Sequence, residues 1–211
     1  MVEIGLFPLE TVLLPGERLP LHIFEERYKE LIGECLDRGT EFGLVLSKDD
    51  GMRRVGTRAA VIEVLERFPD GRLNVVVEGR DRFRIVRITE GRSFVTAEIV
   101  DVPDEDDAPP GPDELARCLD AYRRLAEAAE VEPEPVESAV GNVAFEIAGL
   151  VDMGVDPKQE LLELRSERTR VDRLAGLLED VMAALRWREV VRERAAGDGQ
   201  VRGPEDEGTG S

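Results

Sequence analysis

Apolar residues fall along the chain in two periods. Over residues 24–36 they recur as Phe24, Tyr28, Leu31, Ile32, Cys35 and Leu36, spaced i, i+4, i+7, i+8, i+11 and i+12. That spacing predicts one face of a helix from about Phe24 to Arg38, with Gly39 as its left-handed cap. Beyond it the period shortens. Gly43–Leu46, Ala59–Leu65, Leu73–Val77, Phe83–Ile88 and Phe94–Val100 are rich in β-branched and aromatic residues. Phe83, Ile85 and Ile88 roughly alternate with arginines, as strands with one buried face do. Pro69-Asp70-Gly71 reads as a hairpin turn, its glycine taking the φ > 0 position.

The helical period then returns. Leu115, Leu119, Tyr122 and Leu125 form one stripe, Val140, Val143, Ala144, Ile147, Leu150 and Val151 a second, and Val171, Leu174, Leu178, Val181, Met182 and Leu185 a third. Asp156-Pro157-Lys158-Gln159 predicts a short helix from near Pro157 with Asp156 as N-cap, and Ser166 stands where a cap of the last helix would. Between the two patterns, VPDEDDAPPGPDE at 102–114 has little to bury. The chain therefore divides into a β-rich lobe (1–102), an acidic proline-rich connector (103–113), a helical lobe (114–195) and a polar, Gly-rich tail (196–211) expected to be disordered.

Residues 6–28, LFPLETVLLPGERLPLHIFEERY, are the most constrained stretch. Pro8, Pro15 and Pro20 each fix φ and remove an amide donor, breaking the apolar runs into short strands or loops, and Pro15-Gly16 signals a turn. Phe7-Pro8-Leu9, Leu14-Pro15-Gly16 and above all PLHIFEERY at 20–28 resemble the amino-terminal substrate-binding domain of the Lon family of ATP-dependent proteases. Glu78-Gly79-x-x-Arg82-Phe83-Arg84-Ile85 and Asp156-Pro157-x-Gln159-x-Leu161-Leu162 carry the resemblance on to about Arg194.

The resemblance implies an α+β fold: an amino-terminal β-rich, PUA-like pseudo-barrel lobe with an inserted early helix, then a carboxyl-terminal helical bundle lobe. It also implies recognition of unfolded or tagged polypeptides, with a separate protease as a possible recipient. Pro8, Pro15, Gly16, Pro20, Leu21, His22, Phe24, Glu25, Arg27 and Tyr28 match the signature, and their expected duty is architectural. Phe24 and Tyr28 are expected to pack the helix, Glu25 to favour its dipole, and Arg27 to bridge to a sheet carboxylate. Full Lon proteases continue into ATPase and peptidase modules; this sequence does not, so a free-standing, non-catalytic protein is expected.

Chemistry along the chain agrees. A P-loop needs a lysine after a glycine-rich loop, and Lys29, Lys48 and Lys158, the only lysines, follow none. Ser47-Lys48, the one adjacent pair able to suggest a Ser-Lys dyad, lies in the turn SKDDG. His22, the single histidine, is expected in the core or a turn rather than as a general base. His22, Cys35 and Cys118 lack close-spaced partners for a metal, and Asp104 to Asp107 lack the glycine and spacing of a calcium loop, so neither metal nor cofactor is expected.

The net charge of −18 is uneven: residues 1–102 carry 19 acids and 15 bases (net −4), leaving 27 and 13 (net −14) for the remainder. The five arginines of 80–92 are diluted by Glu78, Asp81 and Glu90, so nucleic acid is not an expected partner. No apolar run is long enough to span a membrane, and MVEIGLFP has an acid where a signal peptide carries bases, so a cytoplasmic protein with reduced, structural cysteines is expected.

What remains is binding. Leu13, Leu14, Met52 and Phe68 are surface candidates that periodicity does not force inward, though each also reads as the inward edge of a hairpin. An open, apolar cleft between the lobes is the expected peptide site. The alternative is a structural or regulatory domain that docks one dedicated partner through its last helix and acidic lobe. Periodicity leaves the oligomeric state open.

Overall fold

The computed structural model describes residues 1–89, 91–105, 107–136 and 142–198, with side chains as far as Trp187. Val140 of the second stripe, and the expected tail from residue 199 on, lie outside the described residues. In chain order the elements are β1 (Val2–Leu9), β2 (Arg18–Ile23), α1 (Glu26–Arg38), β3 (Phe42–Lys48), β4 (Gly51–Met52), β5 (Val55–Arg67), β6 (Leu73–Thr89), β7 (Thr96–Asp101), α2 (Pro112–Ala128), α3 (Val143–Leu150), α4 (Val155–Glu163) and α5 (Glu167–Asp198).

Strand pairing runs in a closed ring. β1 pairs parallel with β3 and antiparallel with β7, and antiparallel β3–β5, β5–β6 and β6–β7 ladders complete it. Inside lie Ile4, Leu6, Val45, Phe83, Ile85, Ala97 and Ile99. The first part of β6 and the second part of β5 extend this ring as a hairpin, and β2 adds to the hairpin along β6. α1 buries Tyr28, Leu31, Ile32 and Cys35 in a second cluster with Phe7, Ile23, Phe42, Val75 and Val77. Phe7 stacks on Tyr28 with ring centroids 4.0 Å apart.

Several boundaries differ from the sequence reading, and α5 runs on through residues 196–198 of the expected tail. Leu73–Val77 and Phe83–Ile88 belong to one 17-residue strand, not two. The polar interval at 78–82 reads as a break, but Gly79 keeps the strand running where another backbone crosses it. A Cβ there would stand 2.1 Å from the Leu14 carbonyl oxygen. Gly16 and Gly79 exchange the contact through Gly16 N–H to Gly79 O, 2.9 Å, and Gly79 N–H to Glu17 O, 2.9 Å. α4 begins at Val155 with Gly154 (φ 83°) as N-cap, so Asp156 sits in the first turn, and there it holds Lys48 Nζ at 3.0 Å. At the other helix ends Gly39 is left-handed (φ 62°) and Ser166 Oγ accepts the Thr169 amide, 3.2 Å.

Helices α2–α5 bury their stripes against one another, and Val12, Leu14, Leu46 and Val55 from the strand region join the same cluster. Sheet and helices thus share a core. Among the described residues no helix is long and apolar enough to cross a membrane.

Candidate functional site

Where the sheet meets the helices, charge is buried and paired. Arg82 on β6 donates Nη1 to the carbonyls of Leu162 (2.9 Å) and Leu164 (2.6 Å) and Nη2 to Asp104. Arg170, fully buried on α5, donates to Asp104 Oδ1 (2.7 Å), Leu164 O (2.8 Å) and, through Nε, Glu167 (2.9 Å). Phe145 lies under both guanidinium groups, 5.5 Å from Arg82 Cζ and 4.3 Å from Arg170 Cζ. Burial alone would raise the Asp104 carboxyl, but Arg170 and Arg82 outweigh it and hold the group below the ordinary carboxylate range. Burial pushes Glu167 up, more than the Ala144 amide and Arg170 bring it down. Two cations face two carboxylates, each bound to several partners, which is the condition for tolerating buried charge. One strand, the connector and three helices are locked together by this cluster.

Beside it, an open groove of about 830 Å³ runs between sheet and helices, with Pro15, Arg18, Glu78, Asp81, Phe145 and Leu150 among its walls. The expected apolar cleft is open but not apolar. Arg18 and Arg80 both bind Glu78 (3.2 and 2.8 Å), and Glu17 on its wall binds Lys158 (2.8 Å).

A different surface gathers several exposed apolar groups. On the hairpin arm, register aligns Pro20 with Val76 and Glu63, and His22 with Asn74 and Glu66, so these share one face by the two-residue alternation of strands. Ile23, Leu73 and Val75, on the opposite face, are buried. Irregularities between Val61 and Glu63 and between Val64 and Glu66 leave Ile62 and Leu65 39% and 54% exposed on this arm. Phe24, just past β2, is 59% exposed. Its ring stacks near His22 (centroids 5.9 Å, 22°), and Phe68 meets the imidazole edge-on (6.1 Å, 80°). Arg72 covers Phe68 at 4.8 Å and is held by Asp70, 2.7 Å. Both outer edges of the arm are blunted: β2 has Pro20 at its centre and β5 has bulges and charges, devices that discourage strand addition. Contacts on this arm must therefore be made by its side chains.

The profile of the ATP-dependent protease La (LON) substrate-binding domain matches residues 3–180. The chain belongs to the Lon substrate-binding domain family. Lon protease of Paraburkholderia phytofirmans is 28% identical over 204 residues, 89% of this chain and 25% of that protein. Lon protease of Flavobacterium johnsoniae is 28% identical over 214 residues, 90% of this chain and 24% of that one. The chain thus spans about a quarter of the length of these curated relatives. The crystal structure of a Lon N-terminal domain protein from Xanthomonas campestris superposes with a TM-score of 0.65 at 28% identity, covering 83% of this chain and 98% of that one. The N-terminal domain of Mycobacterium avium complex Lon protease shares the fold (TM-score 0.62, 19% identity, 85% and 99% covered).

Seen as a Lon domain, several sequence expectations change. Leu13 and Leu14 are not surface residues: Leu13 enters the α1 cluster and Leu14 the helical core, because the Pro15-Gly16 turn is pinned to Gly79 and Thr57 Oγ1 holds the Leu13 carbonyl at 2.5 Å. Met52 is half-buried beside the ring interior. Phe68 is half-buried at the arm's tip. Of the signature residues, Tyr28 packs the helix as expected, its hydroxyl raised mainly by burial. Phe24 does not, since α1 begins only at Glu26. Arg27 reaches Glu25 (2.7 Å) and the Tyr28 ring (4.5 Å) rather than a sheet carboxylate. His22 is exposed in β2, neither core nor turn.

Ile62 and Leu65 were not legible as surface groups, yet their signal is in the sequence. Val61-Ile62 and Val64-Leu65 are paired apolar residues that break a strand's alternation, as bulges do. Cys35 and Cys118 are buried, and burial pushes the Cys118 thiol up to about 12, far from a reactive thiolate.

Proposed function

We propose that this chain recognises non-native polypeptides, unfolded or tagged, through the outer face of the β2–β5–β6 arm, and performs no chemistry of its own. The observation that carries the reading is the exposed Phe24–His22 pair with half-buried Phe68 against it, on an arm that also exposes Leu65 and Ile62, in a fold whose family is described as substrate-binding. Large apolar groups gathered on one surface mark interaction sites. In this reading residues 1–102 form a PUA-like pseudo-barrel that presents the arm, the segment at 103–113 and the helices at 114–195 brace it, and the captured chain passes to a separate protease.

The groove between sheet and helices is a poorer candidate. Its walls are rich in charge, Arg18, Glu78, Arg80 and Asp81 among them, so an apolar client entering it would strip water from charged groups it cannot satisfy. Fluorescence anisotropy with a labelled, permanently unfolded polypeptide and its folded counterpart tests the proposal. The unfolded form is expected to bind and the folded form not. No preference at tens of micromolar protein would leave the second reading, a docking domain with one dedicated partner, for which Trp187, 65% exposed on α5, is the favouring feature.

A further inference from the structure

On the premise that the arm meets polypeptide, we infer that His22 is a specificity residue: its Nε2 accepts a hydrogen bond, so that tyrosine and tryptophan are selected over phenylalanine. His22 Nδ1 lies 2.6 Å from Asn74 Oδ1, and Asn74 Nδ2 donates to Glu66 Oε2 at 3.1 Å. A carboxylate only accepts, so the amide nitrogen of Asn74 must face Glu66 and the amide oxygen must face the imidazole. The proton of the neutral ring is then on Nδ1. Nε2 is left as an acceptor, and it has no partner among the described residues.

The ring is also held in place. Phe24 lies alongside it and Phe68 meets it edge-on, the two arrangements aromatic pairs favour, while Arg72 lies over the Phe68 ring. A fixed acceptor thus sits beside the exposed ring of Phe24. The side chain that satisfies both is a flat apolar ring with a donor on its rim: the tyrosine hydroxyl or the tryptophan indole N–H. Phenylalanine fills the same area but leaves Nε2 to lose its water without replacement, and sites that bond a donor discriminate against analogues lacking it.

Three otherwise identical unstructured peptides with one central Tyr, Trp or Phe provide the test, read by fluorescence anisotropy. The wild-type protein is expected to bind the Tyr and Trp peptides about fivefold more tightly than the Phe peptide, the worth of one net hydrogen bond. His22→Phe should abolish the preference while retaining the Phe peptide, and Asn74→Leu, which frees the tautomer, should shrink it. Nitrogen-15 spectra of wild type should show the proton on Nδ1. Equal affinity for all three peptides, a preference surviving in His22→Phe, or a proton on Nε2 overturns the assignment while leaving polypeptide recognition intact. Failure of every peptide to bind overturns both.

Discussion

The junction at Phe145 and the outer face at Phe68 use the same parts to opposite ends. In each, a phenylalanine lies under a guanidinium that a carboxylate holds in place: Phe145 under Arg170 with Asp104, Phe68 under Arg72 with Asp70. At the junction both arginines and Glu167 are buried and each charged group is bonded to more than one partner, so the assembly fixes geometry. On the outer face Phe68 is half-buried, and Phe24 and His22 beside it remain open to water. Burial, not residue type, separates the device that holds the fold from the surface that can bind.

Breaking the junction should have the largest effect. Arg170→Ala leaves the buried Glu167 without its cation and takes one of two arginines from Asp104, and unfolding in urea is expected to show a loss of about 3–5 kcal/mol. Gly79→Ala comes next, about 1–3 kcal/mol, because the added carbon meets the Leu14 backbone rather than a side chain that could yield. Asp104→Asn sharpens the comparison through pH. Asp104 is held below its unfolded value, near 3.9, so its contribution is complete above that value and lost as pH falls through the lowered folded value. The stability gap between wild type and Asp104→Asn should therefore be constant near neutrality and close in acid. A gap that widens in acid would contradict the sign assigned here.

Much of the fold was legible because period and punctuation agree. The α1 stripe, the Gly39 cap and the Gly71 turn were read from residues whose local chemistry allows little else. What stayed hidden depends on contacts distant in sequence. Arg82 sits in a strand of alternating arginines, and nothing nearby distinguishes it from Arg84 or Arg87; its burial is set by Leu162, Leu164 and Asp104. Leu13 and Leu14 looked free beside a turn because Gly79, which pins that turn, is more than 60 residues away. Phe24 matched a helical stripe, but the helix starts two residues later, and that shift converts a core residue into an exposed one. The candidate site was thus half visible: Phe68 was named as a surface group, whereas Phe24 and His22 were assigned to architecture.

Changes on the outer face should have the smallest effect on folding. Phe24→Ser and Leu65→Ser are expected to move stability by no more than about 0.5 kcal/mol each, since neither side chain leaves a cavity behind. Loss of more than that would mean the arm's rings support the fold.

The most direct test joins the two regions in one measurement: affinity for an unfolded polypeptide, with urea midpoints recorded on the same preparations, for wild type and the Phe24→Ser/Leu65→Ser double variant. Binding weaker by about tenfold or more with an unchanged midpoint is expected, the signature of apolar anchors lost from a surface. Undiminished binding by the folded double variant would contradict the assignment of polypeptide recognition to this face.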